Sequence, residues 1–298
     1  MVALGGNALL RRGEAADAAT QRHNVEAAAA GLADLAADHD LVITHGNGPQ
    51  VGLLALQSES YRDVAPYPLD VLGAESEGMV GHLLELALRN QLPDREIATI
   101  LTETVVDRDD PAFAEPSKPI GPVYDAAEAA RLRAERGWTM ARDGAGQRRV
   151  VPSPEPRAIA ELRPIRTLID AGVLVICAGG GGVPVTVDGD GLLRGVEGVV
   201  DKDLTAALLA RRLEADLLLM LTDVDAVYLG WGTTSERPLR RVEADQLREM
   251  SFAAGSMAPK VDAACRFVEG TGAAAAIGSL ADAAKVVAGE AGTWVSAG

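Results

Sequence analysis

Lysine is scarce in this chain, which has 4 lysines against 24 arginines among its 298 residues. Three of the four, Lys118, Lys202 and Lys260, lie in segments rich in glycine, proline or aspartate, whereas Lys285 lies on a late amphipathic stretch. A lysine ammonium is a compact, mobile point charge, while an arginine guanidinium is a rigid planar fork. Most lysines are surface residues, and four positions do not decide between that interpretation and a functional one. We take the first three as candidates for an anion-binding site.

Net positive charge is also lacking, since the formal net charge is −15. This balance argues against nucleic acid and anionic membranes as partners, although a few lysines in a cleft can still attract a small anion. No apolar run approaches the ~20 residues of a membrane span, and the first residues show no signal-peptide pattern. We therefore expect a cytoplasmic protein that does not associate with membranes.

Cysteine and histidine are too few and too scattered to indicate a metal centre or a nucleophile. Cys177 and Cys265 lack metal-ligand spacing and fit buried free thiols in a reducing compartment, with redox or nucleophilic use as the lesser alternative. The 4 histidines are far apart, and no serine lies in a nucleophile elbow. These absences argue against a zinc site and a catalytic triad.

Short apolar runs alternate with longer helical patterns along most of the chain. This alternation predicts an α/β fold, with a mainly parallel sheet that is covered by helices on both faces. The predicted strands are 2–4, 41–44, 97–102, 173–177, 217–222 and 274–277. The predicted helices are 18–38, 49–60, 70–92, 157–171, 203–214, 243–250, 259–269 and 281–288.

Residues near 107–155 interrupt this alternation with many prolines, many charges and one short helical pattern at 125–136. Tyr124, Trp138 and Met140 provide apolar surface for packing. We therefore expect a folded lobe that projects from the sheet, rather than a disordered linker.

Glycine turns follow three of the predicted strands, at residues 5–6, 46–48 and 179–182. Such turns point backbone N–H groups at an anion, and ligands of open α/β sheets bind where parallel strands end. Each of the first two turns alone is also compatible with an ordinary tight strand–helix connection. The third is either a flexible loop or a phosphate cradle, and it matches neither the Walker loop nor the dinucleotide fingerprint.

Two acidic segments leave alternatives open. Asp201 and Asp203 flank Lys202 at the start of a predicted helix, where either carboxylate could cap the helix or hold a lysine. Asp223 and Asp225 follow a strand and fit either a nucleotide-base pocket or a weak metal site. Met257 fits either the core or the same pocket.

These segments, in their order along the chain, resemble the carbamate kinases of the amino-acid kinase superfamily. The resemblance is carried by residues 3–8, 45–50, 117–122, 150–154, 179–184, 201–203, 222–228 and 255–260. It implies an open αβα sandwich with about eight strands over one domain, 1–298, and a protruding lobe at 111–153. It also implies a carbamate side at about 1–172, a nucleotide side at about 173–298, and a homodimer.

The resemblance further implies reversible phosphoryl transfer between ATP and carbamate, which gives ADP and carbamoyl phosphate, with Mg²⁺ as cofactor. The implied catalytic residues are Lys118, Lys202, Asp203 and Lys260. The implied substrate-binding residues are Gly5, Gly6, Asn7, Gly46, Asn47 and Gly48. The implied nucleotide-binding residues are Gly180, Gly181, Thr222, Asp223, Val224, Tyr228 and Met257.

The sequence departs from the family pattern at a few positions. Glu75, Glu77 and His82 stand where glutamines and tyrosine are common, and Trp231 stands where tyrosine is common. Two alternatives remain: a kinase of the same fold that acts on another small acid, and a regulatory protein that binds ATP without turnover.

Overall fold

A computed structural model describes residues 1–10, 14–15, 17–61, 63–252 and 257–298, with the backbone only at residues 7 and 8. The strands are β1 (Val2–Leu4), β2 (Val42–His45), β3 (Ile97–Ile100), β4 (Glu103–Val106), β5 (Lys118–Tyr124), β6 (Met140–Asp143), β7 (Gly146–Val151), β8 (Pro156–Ile159), β9 (Leu174–Cys177), β10 (Val183–Val187), β11 (Leu193–Gly195), β12 (Leu217–Thr222), β13 (Val227–Leu229), β14 (Arg237–Leu239), β15 (Arg241–Glu243), β16 (Ala274–Ser279) and β17 (Thr293–Ser296). The α-helices are α1 (Gly6–Leu9), α2 (Ala18–Ala36), α3 (Gly48–Ser60), α4 (Leu69–Gln91), α5 (Ala126–Arg136), α6 (Leu162–Asp170), α7 (Lys202–Leu213), α8 (Ala244–Arg248), α9 (Met257–Thr271) and α10 (Ala283–Val287).

The main sheet has eight strands in the order β15-β17-β16-β12-β1-β2-β9-β3. The six strands from β16 to β3 in this order run parallel to one another, and β17 runs antiparallel to β16. Successive residues of a strand face opposite layers, so Leu4 packs with α2 and α4 while Ala3 packs with α7 and α9. The predicted αβα sandwich with about eight strands is therefore confirmed.

The interrupted segment forms its own small sheet. Strands β5, β7 and β6 pair antiparallel in that order, and α5 lies between β5 and β6 in the chain. The guanidinium of Arg149 lies 4.4 Å from the ring centroid of Trp138, and Tyr124 packs 6.4 Å from the same ring. The segment thus has its own packed centre, while the lobe boundaries at 111–153 stay a prediction.

Several expectations about the elements are wrong: the strand predicted at 97–102 ends at Ile100, and Glu243, predicted to begin a helix, belongs to β15. Residues 157–159, placed at the start of a helix, belong to β8, and α6 begins only at Leu162. Pro164 explains the difference, because a proline fits only the first turn of a helix. Strands β15 and β17 were missed because each is short and contributes one valine, Val242 or Val295, to the buried core.

Both cysteines are free and buried, as expected from their spacing. Within the described ranges, no helix is long and apolar enough to cross a membrane.

Candidate active site

Four adjacent parallel strands, β12, β1, β2 and β9, end at the same edge of the sheet. The turns that follow β1 and β2 are tied together at this edge. The N–H of Gly5 donates to the carbonyl of Leu221 (2.7 Å), and that of Gly46 donates to the carbonyl of Leu4 (3.0 Å). A Cβ added at Gly46 would lie 2.7 Å from the Gly6 nitrogen, so only glycine permits this approach. The sequence predicted that these two turns converge if their strands are neighbours, and β1 and β2 are neighbours in the sheet.

The third glycine turn, at residues 179–182, packs against the second glycine turn. A Cβ at Gly180 would lie 2.1 Å from the Asn47 side-chain nitrogen, and one at Gly181 would lie 2.7 Å from the carbonyl oxygen of Val200. Gly180 and Gly181 also have φ values of 68° and 99°, a region that favours glycine. The turn is therefore packed against the second turn and against the segment that leads into α7.

Side chains fix this turn from outside. The carbonyl of Gly181 accepts hydrogen bonds from the hydroxyls of Thr104 (2.8 Å) and Thr205 (3.0 Å). The N–H of Ala178 donates to the hydroxyl of Thr102 (2.9 Å). These bonds favour a fixed cradle over the flexible loop that the glycine run left open.

Lys202 and Lys260 meet on one carboxylate. The Lys202 Nζ lies 2.5 Å from Asp203 Oδ1, and the Lys260 Nζ lies 3.1 Å from Asp203 Oδ2. Asp203 is 4% exposed and Lys260 is 9% exposed. The stem of Lys202 passes the second glycine turn, since a Cβ at Gly46 would lie 3.4 Å from Lys202 Cδ. Two ammonium groups from α7 and α9 are thus held together beside the glycine turns.

The charges of this cluster depend on one another. Burial alone would raise the pKa of the Asp203 carboxyl, but the ammonium groups of Lys202 and Lys260 outweigh it and hold that pKa well below its usual range. Burial lowers the pKa of the Lys202 ammonium, and the like charge of Lys260 acts the same way against the attraction of Asp203. Asp203 therefore stabilises two neighbouring ammonium groups whose side chains are largely shielded from water, 14% exposed for Lys202 and 11% for Lys260.

Lys118 enters from the lobe strand β5. Its Nζ lies 2.5 Å from Asp201 Oδ2, while Asp201 Oδ1 accepts from the N–H groups of Asp203 (2.9 Å) and Leu204 (3.3 Å). The two acids flanking Lys202 thus divide the roles that the sequence left open. Asp201 caps α7 and holds the lobe lysine, and Asp203 holds the two buried lysines.

The predicted base pocket is less concentrated. Thr222 adjoins the first turn, since a Cβ at Gly5 would lie 3.4 Å from its hydroxyl, and this hydroxyl donates to Asp223 (3.0 Å). Tyr228 donates to Asp225 (2.8 Å) and packs edge-on against Trp231, with ring centroids 5.2 Å apart. These contacts tie Tyr228 to its own hairpin rather than to the lysine cluster.

The remaining candidates lie at the ends of elements. Gly48 is the first residue of α3, where added side-chain atoms would meet open space, and Val224 is half-buried. Met257 begins α9 and packs against the core from a half-buried position. Asn7 lies in α1, but its side chain lies outside the described part of the chain, as do residues 255 and 256. Among the described residues, no three metal-ligating side chains are grouped to hold an ion.

Sequence reasoning assigned no role in the site to two residues on α4 that contact the glycine turns. The Asn47 side-chain nitrogen donates to the Ser76 hydroxyl (2.8 Å), and the Gly179 N–H donates to Glu77 (2.8 Å). A signal existed, because Ser76 interrupts the apolar stripe of the helix. The stripe comprises Leu69, Leu72, Val80, Leu84 and Leu88.

Comparisons with known proteins agree with this geometry. The amino acid kinase family model matches residues 1–279. A carbamate kinase of Rhizobium meliloti (strain 1021) is 54% identical over 299 residues, which is 99% of this chain and 92% of the relative. One of Haemophilus influenzae is 51% identical over 297 residues, with coverage of 99% and 96%. The solved structure of a carbamate kinase from Giardia lamblia bound to AMP-PNP has a TM-score of 0.91 at 40% identity, with coverage of 100% and 98%. The chain therefore belongs to the amino acid kinase family and, within it, to the carbamate kinase group.

Proposed function

We propose that this protein is a carbamate kinase, which transfers a phosphoryl group reversibly between ATP and carbamate. The observation that carries the proposal is the meeting of Lys202 and Lys260 on buried Asp203, beside glycine turns at the ends of adjacent strands. Such a site offers fixed positive charge and backbone N–H groups to a travelling anion. Identity above 50% to named carbamate kinases supports the same substrate pair.

The chemistry needs positioning and charge more than acid–base groups. A carbamate oxygen attacks the γ-phosphorus in line, and carbamate is already an anion, so no residue has to remove a proton. The protein has to bring two anions together and stabilise the charge on the transferred group. One favourable charge pair at ~4 Å is worth about 4 kcal/mol at an effective dielectric constant near 20. Two lysines therefore offset much of the repulsion between the substrates.

The residues divide into two sides in this proposal. The substrate-binding turns hold carbamate and the transferred group at Gly5, Gly6, Asn7, Gly46, Asn47 and Gly48. Lys202 and Lys260 neutralise the transferred group, Asp203 orients both lysines, and Lys118 approaches from the lobe. The nucleotide lies over the second half of the chain, against Gly180, Gly181, Thr222, Asp223, Val224, Tyr228 and Met257.

Mg²⁺ fits this scheme as a companion of the nucleotide. In phosphoryl transfer the ion is held largely by substrate phosphates, with few protein ligands. We further propose that the protein works in the cytoplasm, in line with its two free cysteines, and as a homodimer, in line with its family.

The decisive experiment measures ATP formation from ADP and carbamoyl phosphate by purified protein, with acetyl phosphate as the competing donor. We expect ATP formation with carbamoyl phosphate and much slower formation with acetyl phosphate. Preference for another acyl phosphate would favour a same-fold kinase of a different acid. Nucleotide binding without any turnover would favour a regulatory protein.

Lys285→Ala is a matched control for this assay. The Lys285 ammonium is exposed and pairs with Asp282 at 2.6 Å. Its surroundings therefore differ from those of the shielded lysines in the cluster. Its loss removes one positive charge of the protein but none from the site. Unchanged turnover in this variant, beside loss in Lys202→Ala, would tie activity to the buried ammonium.

A further inference from the structure

The two neighbouring residues Ser76 and Glu77 connect α4 to two glycine turns at once. Ser76 accepts from Asn47, in the turn after β2, and itself donates to the carbonyl of Gly73 (2.9 Å). Glu77 accepts from Gly179, in the turn after β9. Both contacts are made by residues of α4 to which the proposed reaction mechanism assigns no role.

Helix α4 can reach the turns because it lies close to the sheet edge. A Cβ at Gly81 would lie 2.5 Å from Thr99 Cγ2, on the edge strand β3. The Thr99 hydroxyl donates to the carbonyl of Gly81 (3.3 Å), which fixes the helix against that strand. Glu77, one turn earlier on the helix, is only 1% exposed as a result.

The Glu77 carboxyl group lies at the base of the third glycine turn. Its Oε1 accepts from the Gly179 N–H (2.8 Å), and its Oε2 accepts from the Thr102 N–H (3.4 Å). A Cβ at Gly179 would lie 2.8 Å from Glu77 Cγ and 2.5 Å from the His45 Nε2. Gly179 is therefore held between two buried side chains, and Glu77 is the one that binds its N–H.

Burying this carboxyl is costly. Burial raises the pKa of Glu77 to about 8 against the two N–H donors, and the nearby Glu161 acts in the same direction as burial. An apolar residue would avoid this cost only by leaving the N–H groups of Gly179 and Thr102 without an acceptor, so the hydrogen bonds that the carboxyl accepts are what its burial serves. Buried acids of shifted pKa near a cleft are a common mark of functional sites.

We propose that Glu77 is a positioning residue for the nucleotide: by accepting the Gly179 N–H it fixes the glycine turn in the shape that receives the phosphate groups. It acts through the turn and does not contact the substrate. The inference rests on the proposed function, because it assumes that Gly180 and Gly181 face nucleotide phosphates.

The test compares Glu77→Met, which keeps the length but loses the acceptor, with Glu77→Gln, which keeps a carbonyl acceptor. Calorimetry with ADP and with ATP measures nucleotide affinity without any phosphoryl acceptor. We expect Glu77→Met to weaken nucleotide affinity about tenfold or more and Glu77→Gln to restore it to within about threefold of wild type. In turnover, the KM for ADP should rise in Glu77→Met while kcat at saturating ADP changes far less.

Glu59→Gln is the matched control. Glu59 is another partly buried acid, but it lies near the C-terminal end of α3 and faces Arg149 of the lobe at 4.0 Å. Its nucleotide affinity should equal that of the wild type. Wild-type nucleotide affinity in a folded Glu77→Met variant would overturn the inference. Nucleotide binding by the wild type without carbamoyl-phosphate turnover would instead refute the proposed function and leave this comparison valid.

If Glu77→Met does not fold, Glu77→Asp decides, because its shorter side chain withdraws the acceptor from the Gly179 N–H. We expect its nucleotide affinity to be about threefold or more below that of Glu77→Gln. Equal nucleotide affinity in these two variants would overturn the inference.

Discussion

The site contains two groups of lysine–aspartate ion pairs, which differ in burial and in the elements that carry them. Lys202 and Lys260 share a carboxylate that is 4% exposed, and both stand on helices packed against the main sheet. Lys118 stands on a lobe strand and pairs with Asp201 while its own side chain is 36% exposed. Water screens the second pair much more than the first. The comparison indicates that the sheet domain holds two ammonium groups in fixed, shielded positions, whereas the lobe contributes one ammonium group that is more exposed and more strongly screened.

The largest expected effect comes from removing a buried ammonium. We expect Lys202→Ala and Lys260→Ala each to lower kcat/KM about 10²–10⁴-fold, since each loses one close charge interaction with the transferred group. Steady-state assays of ATP formation measure this, and circular dichroism checks that both variants fold. Turnover near that of Lys285→Ala in either variant would break the distinction between site lysines and surface lysines.

Removing the shared carboxylate tests whether the buried pair depends on it. Asp203→Asn leaves two buried ammonium groups facing each other, so the pKa of Lys202, already lowered by burial, should fall further. Because the reaction needs charged lysines, the alkaline limb of the rate profile should move to lower pH, and kcat/KM at neutral pH should fall about 10²-fold.

A half-exposed acid on α9 serves as the control for this change. Asp262 pairs with Arg248 and Arg266 on the surface of the helix that carries Lys260. Asp262→Asn should leave the pH profile of the rate unchanged. An alkaline limb in Asp203→Asn that coincides with wild type would show that Asp203 does not set the charge of the lysines.

The lobe lysine should matter less. We expect Lys118→Ala to lower kcat/KM about tenfold, because a screened and exposed charge contributes less to the transferred group. The same assay, run beside Lys202→Ala, gives the ratio between the two pairs directly. A loss from Lys118→Ala that exceeds the loss from Lys202→Ala would reverse the comparison and make the lobe the main source of charge.

The sequence predicted the central strands and the glycine turns well, because each is marked by a local pattern. The strand at 217–222 matches β12 residue for residue, since its run of apolar residues from Leu217 to Leu221 marks a strand that is covered on both faces. Strand β15 carries no such pattern, because only the middle one of its three residues is buried.

The site was predictable where backbone chemistry is unusual and not where long-range contacts decide. Four successive glycines announce the third turn, but nothing local announces that Thr104 and Thr205 bind Gly181 across 77 and 24 residues of chain. The partner of Lys118 depends on how the lobe lies on the sheet domain, which no local pattern encodes. Glu77 was noticed only as a departure from the family pattern, since its contact with Gly179 spans 102 residues.

The smallest expected effect on activity comes from Glu77→Gln, which should mainly change how stability depends on pH. Glu77 differs from Asp201 and Asp203 because its described contacts include no cation. The pKa of its carboxyl is raised from 4.5 to about 8, so the folded protein keeps a proton that the unfolded chain releases. The stability from this proton is fully present below about pH 4.5 and is lost as pH rises towards 8. Glutamine cannot ionise, so the free energy of unfolding of Glu77→Gln should gain about 2–4 kcal/mol relative to wild type between pH 5 and pH 8.

Urea unfolding of the two proteins at pH 5, 6, 7 and 8 measures this difference. Glu161, Cys177 and His45 are present in both proteins, so the pH dependence that each contributes to stability largely cancels in the difference. A stability difference that stays constant across these pH values would mean that Glu77 is ionised in the folded protein throughout. The ionised carboxylate would then be stabilised by its two N–H donors alone. Its negative charge beside the glycine turn would weaken phosphate binding there and leave the lysine cluster as the stronger anion-binding element.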